Sequence, residues 1–194
     1  LADEGRLSLA DDVRKHIPEL PDSGHTITID HLLTHTSGLR DWTGLLMLTG
    51  TQDDALTLIL RQRGLNFAPG EEFSYTNSGI VLAREIVARV SGVSFAEFTR
   101  TRMFEPLGMT STSFREDISG IAENRATAYN RDRDGWRTAM LLDRARGGGG
   151  IMSTAGDLVT WSEALAAGRL GAFVTEKLHE PAHLSSRRVL DYSW

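Results

Sequence analysis

Between a Pro69-Gly70 turn and a strongly apolar run beginning at Ile80 lies Phe73-Ser-Tyr-Thr-Asn-Ser-Gly79, which sets a phenol and a carboxamide two residues apart. A phenol can pass a proton and a carboxamide can both donate and accept hydrogen bonds, so Tyr75 and Asn77 have the chemistry of a polar site at a helix entrance. The local charges do not help such a site. A tyrosine is a weak base at neutral pH unless a cation stands beside it, and the immediate neighbours in the segment Glu71–Arg84 are Glu71 and Glu72, of the wrong sign. A purely structural reading makes Asn77 a helix N-cap and Tyr75 a half-buried packing residue. The two readings are compatible, because a cap fixes the backbone from which a reactive side chain projects.

Other constellations are weaker. His31 and His35 stand four apart, a spacing that can ligate a metal on one helix face. Leu32 occupies the place where a metalloprotease carries glutamate, and no carboxylate-rich partner segment accompanies the pair, so a structural role is expected. His16, His25, His179 and His183 lie in polar or proline-adjacent stretches and read as solvated. The chain has no G-x-S-x-G elbow, no H-E-x-x-H, no Walker loop and no G-x-G-x-x-G. With no cysteine it has no disulfide, thiolate nucleophile or cysteine zinc site. No metal and no cofactor are expected.

Composition narrows the class. A chain of 194 residues with 40% hydrophobic content suits one domain or a large part of one. Its net charge of -5, with acids and bases interspersed, offers no basic face for nucleic acid. No apolar run approaches the roughly 18 residues that span a bilayer.

The elements that must position Tyr75 and Asn77 read mainly as helices. Ser8 with Asp11 at its third position predicts a short capped helix over 9–16, stopped by Pro18. Thr28 caps a second, running through His35 to Gly38. Further helices are predicted from Gln52 to Arg63, from Ile80 to Val90 closed by Gly92, and from Phe95 to Met103, opened by Ser94 and stopped by Pro106. Asp134-Gly135 predicts a hairpin within Tyr129–Thr138, and Thr154 with Asp157 opens a helix ended by Gly168.

Five blocks, taken in order, carry a resemblance: Leu1–Val13, Ile29-Asp-His-Leu-Leu-Thr-His-Thr-Ser-Gly-Leu39, Pro69–Gly79, Pro106-Leu-Gly-Met109 and Gly149-Gly-Ile-Met-Ser-Thr-Ala-Gly-Asp-Leu158. Together they resemble the serine β-lactamase-like family, which joins class C β-lactamases, D-alanyl-D-alanine carboxypeptidases and related esterases. The resemblance implies an α/β fold of the β-lactamase/transpeptidase type, an antiparallel sheet built from both chain ends with helices on its faces. These 194 residues would then be mostly the helical region plus short hairpins. In that family the Tyr-x-Asn tyrosine lies beside the nucleophilic serine and shares in its proton transfer, and the asparagine donates to the substrate's amide carbonyl. The resemblance therefore assigns Tyr75 a catalytic role and Asn77 a substrate-binding one, and it sets Gly149 and Gly150 along the same cleft.

Two further motifs of the family have no counterpart here. Asp12 stands three before Lys15 and Val174 three before Lys177, the only lysines, so neither completes Ser-x-x-Lys. Lys177 is followed by Leu178 and His179, and no histidine has glycine two residues on, so Lys-Thr-Gly and His-x-Gly are lacking. The order of the blocks places those motifs before Leu1 and after Trp194, and residues 1–194 are expected to be the middle of one serine hydrolase domain, inactive alone. The implied substrate is a small amide or ester: a β-lactam, a D-Ala peptide or a simple ester. The resemblance suggests a periplasmic or secreted location, with a cytoplasmic one left open. A noncatalytic helical interaction module or pseudoenzyme is the alternative reading.

Overall fold

The computed structural model describes residues 1–51, 53–115, 123–139 and 150–194. Its centre is the helix that follows Tyr75. Helices are numbered along the chain as α1 (Ile29–Leu33), α2 (Trp42–Thr49), α3 (Ala55–Leu60), α4 (Asn77–Ser91), α5 (Phe95–Thr99), α6 (Glu105–Leu107), α7 (Ala155–Ala166) and α8 (Ala172–His179). Helix α4 turns Val81, Leu82 and Ile86 inward and packs against α1, α2 and α3. With Val13, Ile17, Leu32, Trp42 and Ile59 these side chains form the main core. Gly79 sits where α4 meets α1, and a Cβ there would come within 2.8 Å of the Leu32 carbonyl oxygen.

Local side chains explain most helix ends. Thr28 opens α1 with a capping box: its hydroxyl accepts the His31 N–H at 3.1 Å, and His31 Nδ1 accepts the Thr28 N–H at 3.3 Å. The helix stops at Leu33, short of the predicted Gly38, because the Thr34 hydroxyl bonds back to the Asp30 carbonyl at 2.8 Å and His35 takes a φ of 56°. Over 9–16 only a 3-10 turn forms, Val13–Lys15. Ser8 and Asp11 bond instead within their own turn, and Asp11 is also held by Lys15 at 2.8 Å and by His16 at 3.1 Å. The stretch predicted from Gln52 to Arg63 narrows to α3, capped by Asp54.

Two helical features are new relative to the sequence pattern. Asp41 caps α2, which precedes α3. Beyond α5 the chain does not stop at Pro106. It widens into a π turn, Arg100–Phe104, in which the Glu105 N–H reaches the Arg100 carbonyl, and continues through α6. Pro106 thus falls in the first turn of α6, where a missing N–H costs little.

Strands are short. β1 (Ser113–Phe114) pairs antiparallel with β4 (Ile151–Met152), and β2 (Tyr129–Asp132) pairs antiparallel with β3 (Gly135–Thr138) as the predicted hairpin. Phe104, Leu107, Met109 and Ala164 form a second core between α6 and α7. Helix α7 begins at Thr154 as predicted and closes with Gly168 at a φ of 65°.

Candidate active site

The loop that carries Tyr75 has no regular structure of its own, and its backbone is held by the His-Thr-Ser-Gly segment beneath it. The Asn66 N–H bonds the Gly38 carbonyl at 2.8 Å, the Gly70 N–H bonds the Thr36 carbonyl at 2.8 Å, and the Ser74 N–H bonds the His35 carbonyl at 3.0 Å. This explains why Thr34, His35, Thr36 and Ser37 are all buried. It also explains Gly38. At a φ of 72°, any Cβ there would lie 2.1 Å from the Phe67 carbonyl oxygen, so only glycine lets the two segments approach.

Tyr75 stands on this platform with 61% of its surface exposed. Its ring lies 4.5 Å from the ring of His35, itself only 2% exposed. His35 also meets Tyr192 at 5.3 Å, and Tyr192 packs on Phe73 at 5.2 Å, so four rings share one cluster. Tyr192 arrives there because the C-terminal segment is tied to the Pro69-Gly70 turn by a 2.8 Å bond from the Ser185 N–H to the Gly70 carbonyl. His35 Nδ1 accepts the Thr76 N–H at 3.4 Å. Burial holds His35 below the ordinary histidine range, so it is a neutral ring under Tyr75 at pH 7. Burial also pushes the Tyr192 phenol up, with a smaller push from Tyr75.

Asn77 is the first residue of α4, and Thr76 is the cap that precedes it: the Thr76 hydroxyl accepts the Ser78 N–H at 3.2 Å. Relieved of capping, the Asn77 side chain projects from the helix start, where Nδ2 donates to Asp41 Oδ2 at 2.9 Å. The Asn77 backbone N–H donates to the same oxygen at 2.7 Å. The Ser78 hydroxyl adds a second tie, donating to the Arg40 carbonyl at 2.7 Å and accepting the Trp42 N–H at 3.0 Å. Burial raises the Asp41 pKa, but hydrogen bonds from Thr43 and Asn77 outweigh it and hold the carboxyl below its usual range.

Tyr75 and Asn77 therefore share one rigid helix entrance. Gly150 has contacts of its own: its φ is 91°, its carbonyl accepts the Arg115 N–H at 2.9 Å, and a Cβ there would lie 3.2 Å from the Arg115 carbonyl oxygen. Ile151 beside it lines, with Ser111, Arg115 and Ser153, a cavity to which neither Tyr75 nor Asn77 contributes. Gly149 lies outside the described residues. His31 and His35 do not form a ligand pair, since each gives its Nδ1 to a backbone N–H. Among the described residues no group of three or more His, Cys, Asp or Glu is placed to hold a metal ion.

Sequence reasoning missed Asp41 and the seat that His35 makes for Tyr75. An Asp two residues past His-Thr-Ser-Gly-Leu39 and just ahead of an apolar run is an N-cap signal. Its second duty, toward a residue 36 positions away, has no local signature.

The fold recurs among known proteins. The family model described as Beta-lactamase matches residues 1–190. Penicillin-binding protein 4* of Bacillus subtilis (strain 168) is 28% identical over 216 residues, covering 100% of this chain and 47% of that protein. Among solved structures, a penicillin binding protein from Bacillus halodurans superposes with a TM-score of 0.76 at 28% identity, over 94% of this chain and 59% of that one. D-amino acid amidase from Ochrobactrum anthropi SV3 shares the fold with a TM-score of 0.76 at 24% identity, over 94% of this chain and 57% of that one. The chain spans about half the length of Penicillin-binding protein 4*. With the motif blocks in order, the fold superposed and the family model matched from Leu1 to Leu190, this chain belongs to the Beta-lactamase family.

Proposed function

We propose that the protein containing these residues is a serine hydrolase that acts through an acyl-enzyme on an amide or ester, and that Tyr75 and Asn77 are its second motif. The observation that carries the reading is the placement of Tyr75. A phenol that is 61% exposed, seated on a buried neutral ring and beside a carboxamide fixed to Asp41, is arranged for contact with something outside the chain.

In this reading the nucleophilic serine and the third motif come from sequence outside residues 1–194. Attack by the serine oxygen on the carbonyl carbon forms the acyl bond as its proton passes toward Tyr75, the leaving group departs protonated, and water then hydrolyses the ester. Lysines supplied by the absent motifs would stand beside the phenol and favour that proton transfer. Asn77 Nδ2 donates to the substrate's amide carbonyl, and Gly150, whose backbone carries no side chain to obstruct a ligand, is proposed as a second border of the cleft. The relatives named for penicillin binding and for D-amino acid amide hydrolysis support the amide class among the substrates.

The test is covalent labelling. The 194-residue chain is expected to take up neither a fluorescent penicillin nor a fluorophosphonate, whereas the longer protein is labelled by at least one, on a serine outside these residues. Labelling at Ser37 or Ser78 would place the nucleophile inside the chain and sink this assignment of parts.

A further inference from the structure

Asp41 belongs to neither block that carries chemistry in the family, yet one carboxylate here serves two helix starts. Its Oδ1 accepts the Thr43 N–H at 2.8 Å and the Thr43 hydroxyl at 2.6 Å, capping α2. Its Oδ2 accepts both the backbone N–H and the Nδ2 of Asn77. An ionised carboxylate only accepts hydrogen bonds, so it imposes a direction on the carboxamide. Nδ2 must face Asp41, and Oδ1 must turn away from its charge. Left alone, the terminal torsion of an asparagine is broad and its two ends interchange readily. Held by Asp41, Asn77 keeps one Nδ2 hydrogen and Oδ1 for a ligand, always in the same places.

We propose that Asp41 is a positioning residue, which locks the Asn77 carboxamide in the one orientation that pairs an Nδ2 N–H with a substrate acylamido carbonyl. This rests on the reading of Asn77 as a substrate-binding residue. It makes Asp41 a determinant of preference for substrates that carry an amide beside the reacting carbonyl over those that lack one.

The experiment compares two acylating reagents on the longer protein: a fluorescent penicillin, which bears an acylamido group, and a fluorophosphonate, which does not. Asp41→Ser keeps a hydroxyl able to cap α2 but is too short to hold Asn77. The penicillin rate is expected to fall about 10- to 100-fold, the scale on which a misplacement on the order of 1 Å acts, and its ratio to the fluorophosphonate rate to fall about 10-fold. The same substitution at Asp54, which caps α3 through the Thr57 N–H at 2.9 Å, is expected to leave that ratio within about two-fold. If Asp41→Ser does not fold, Asp41→Asn supplies the ratio instead, with a smaller fall, since an amide of the same size no longer dictates direction. A ratio unchanged in the variant that folds, or equal falls in both rates, would overturn the proposal. A wild-type protein that neither reagent labels, or an Asn77→Ala variant acylated by penicillin at full rate, would instead remove the reading of the site, and this proposal with it.

Discussion

Tyr75 is held by what lies beneath it rather than by its own burial. Its ring rests on His35, its preceding residue is bonded to the His35 carbonyl, and its following residue donates an N–H to the His35 ring. The ring makes that contact and the phenol oxygen is the group with a proton to pass, which separates the residue's effects on rate from its effects on folding. Tyr75→Phe keeps the ring contact and removes only that oxygen. In the longer protein, acylation is expected to slow by about 10² to 10⁴, the usual share of general acid-base catalysis. Thermal unfolding of the same variant should stay close to wild type, because the ring contact with His35 is kept. An unchanged acylation rate would take the tyrosine out of the mechanism.

At the level of elements, the close approach of α4 to α1 decides where the helix entrance points. Gly79 allows it, with Leu32 backbone atoms at 2.8 and 3.3 Å from where a Cβ would sit. Backbone cannot swing aside, so Gly79→Ala should cost about 1–3 kcal/mol by overpacking, despite alanine's better helix propensity. Gly92→Ala meets nothing within 4 Å and is opposed only by its φ of 81°, so it should cost about 1 kcal/mol. Urea unfolding of the two variants ranks them, and a Gly79→Ala variant more stable than wild type would contradict the tight contact. The sequence made legible those elements whose signals are local. Thr28, Ser94 and Thr154 cap helices where they were predicted to, because a hydroxyl reaching an N–H two or three residues on depends on nothing else. It did not reveal α2, a short run between glycines, nor the passage through Pro106, which a π turn makes possible. Of the site, the Tyr-x-Asn motif was legible and its supports were not, since the bonds that hold it join residues 36 to 41 positions apart.

Over the whole molecule, the entrance is one end of a frame tied together by charge and burial. Arg89 on α4 holds Glu19 with bonds of 2.9 and 2.7 Å and the His16 carbonyl at 3.2 Å, fastening the N-terminal segment along the helix. That contact keeps the Glu19 carboxyl down at about 2, while burial keeps His31 and His35 below the ordinary histidine value of 6.5. Each of these groups takes up protons more readily in the unfolded chain, so stability rises with pH across their windows. It is expected to fall first as pH drops below 6.5, when His31 and His35 would charge on unfolding, and again below the ordinary carboxylate values of 3.8 and 4.5, through Asp41 and Glu19. Urea midpoints at about pH 7.5, 5.5 and 3.5 should decrease in that order, and a midpoint that rises between the first two would contradict it. The backbone ladder beneath residues 66–74 has a consequence of another kind. Shape at the entrance is written in buried residues such as Thr36, Gly38 and Gly79, whereas the charge at its rim is written in Glu71 and Glu72, which face solvent. A lineage can exchange the rim for other charges, and so change which molecules are drawn to the entrance, while inheriting the frame intact.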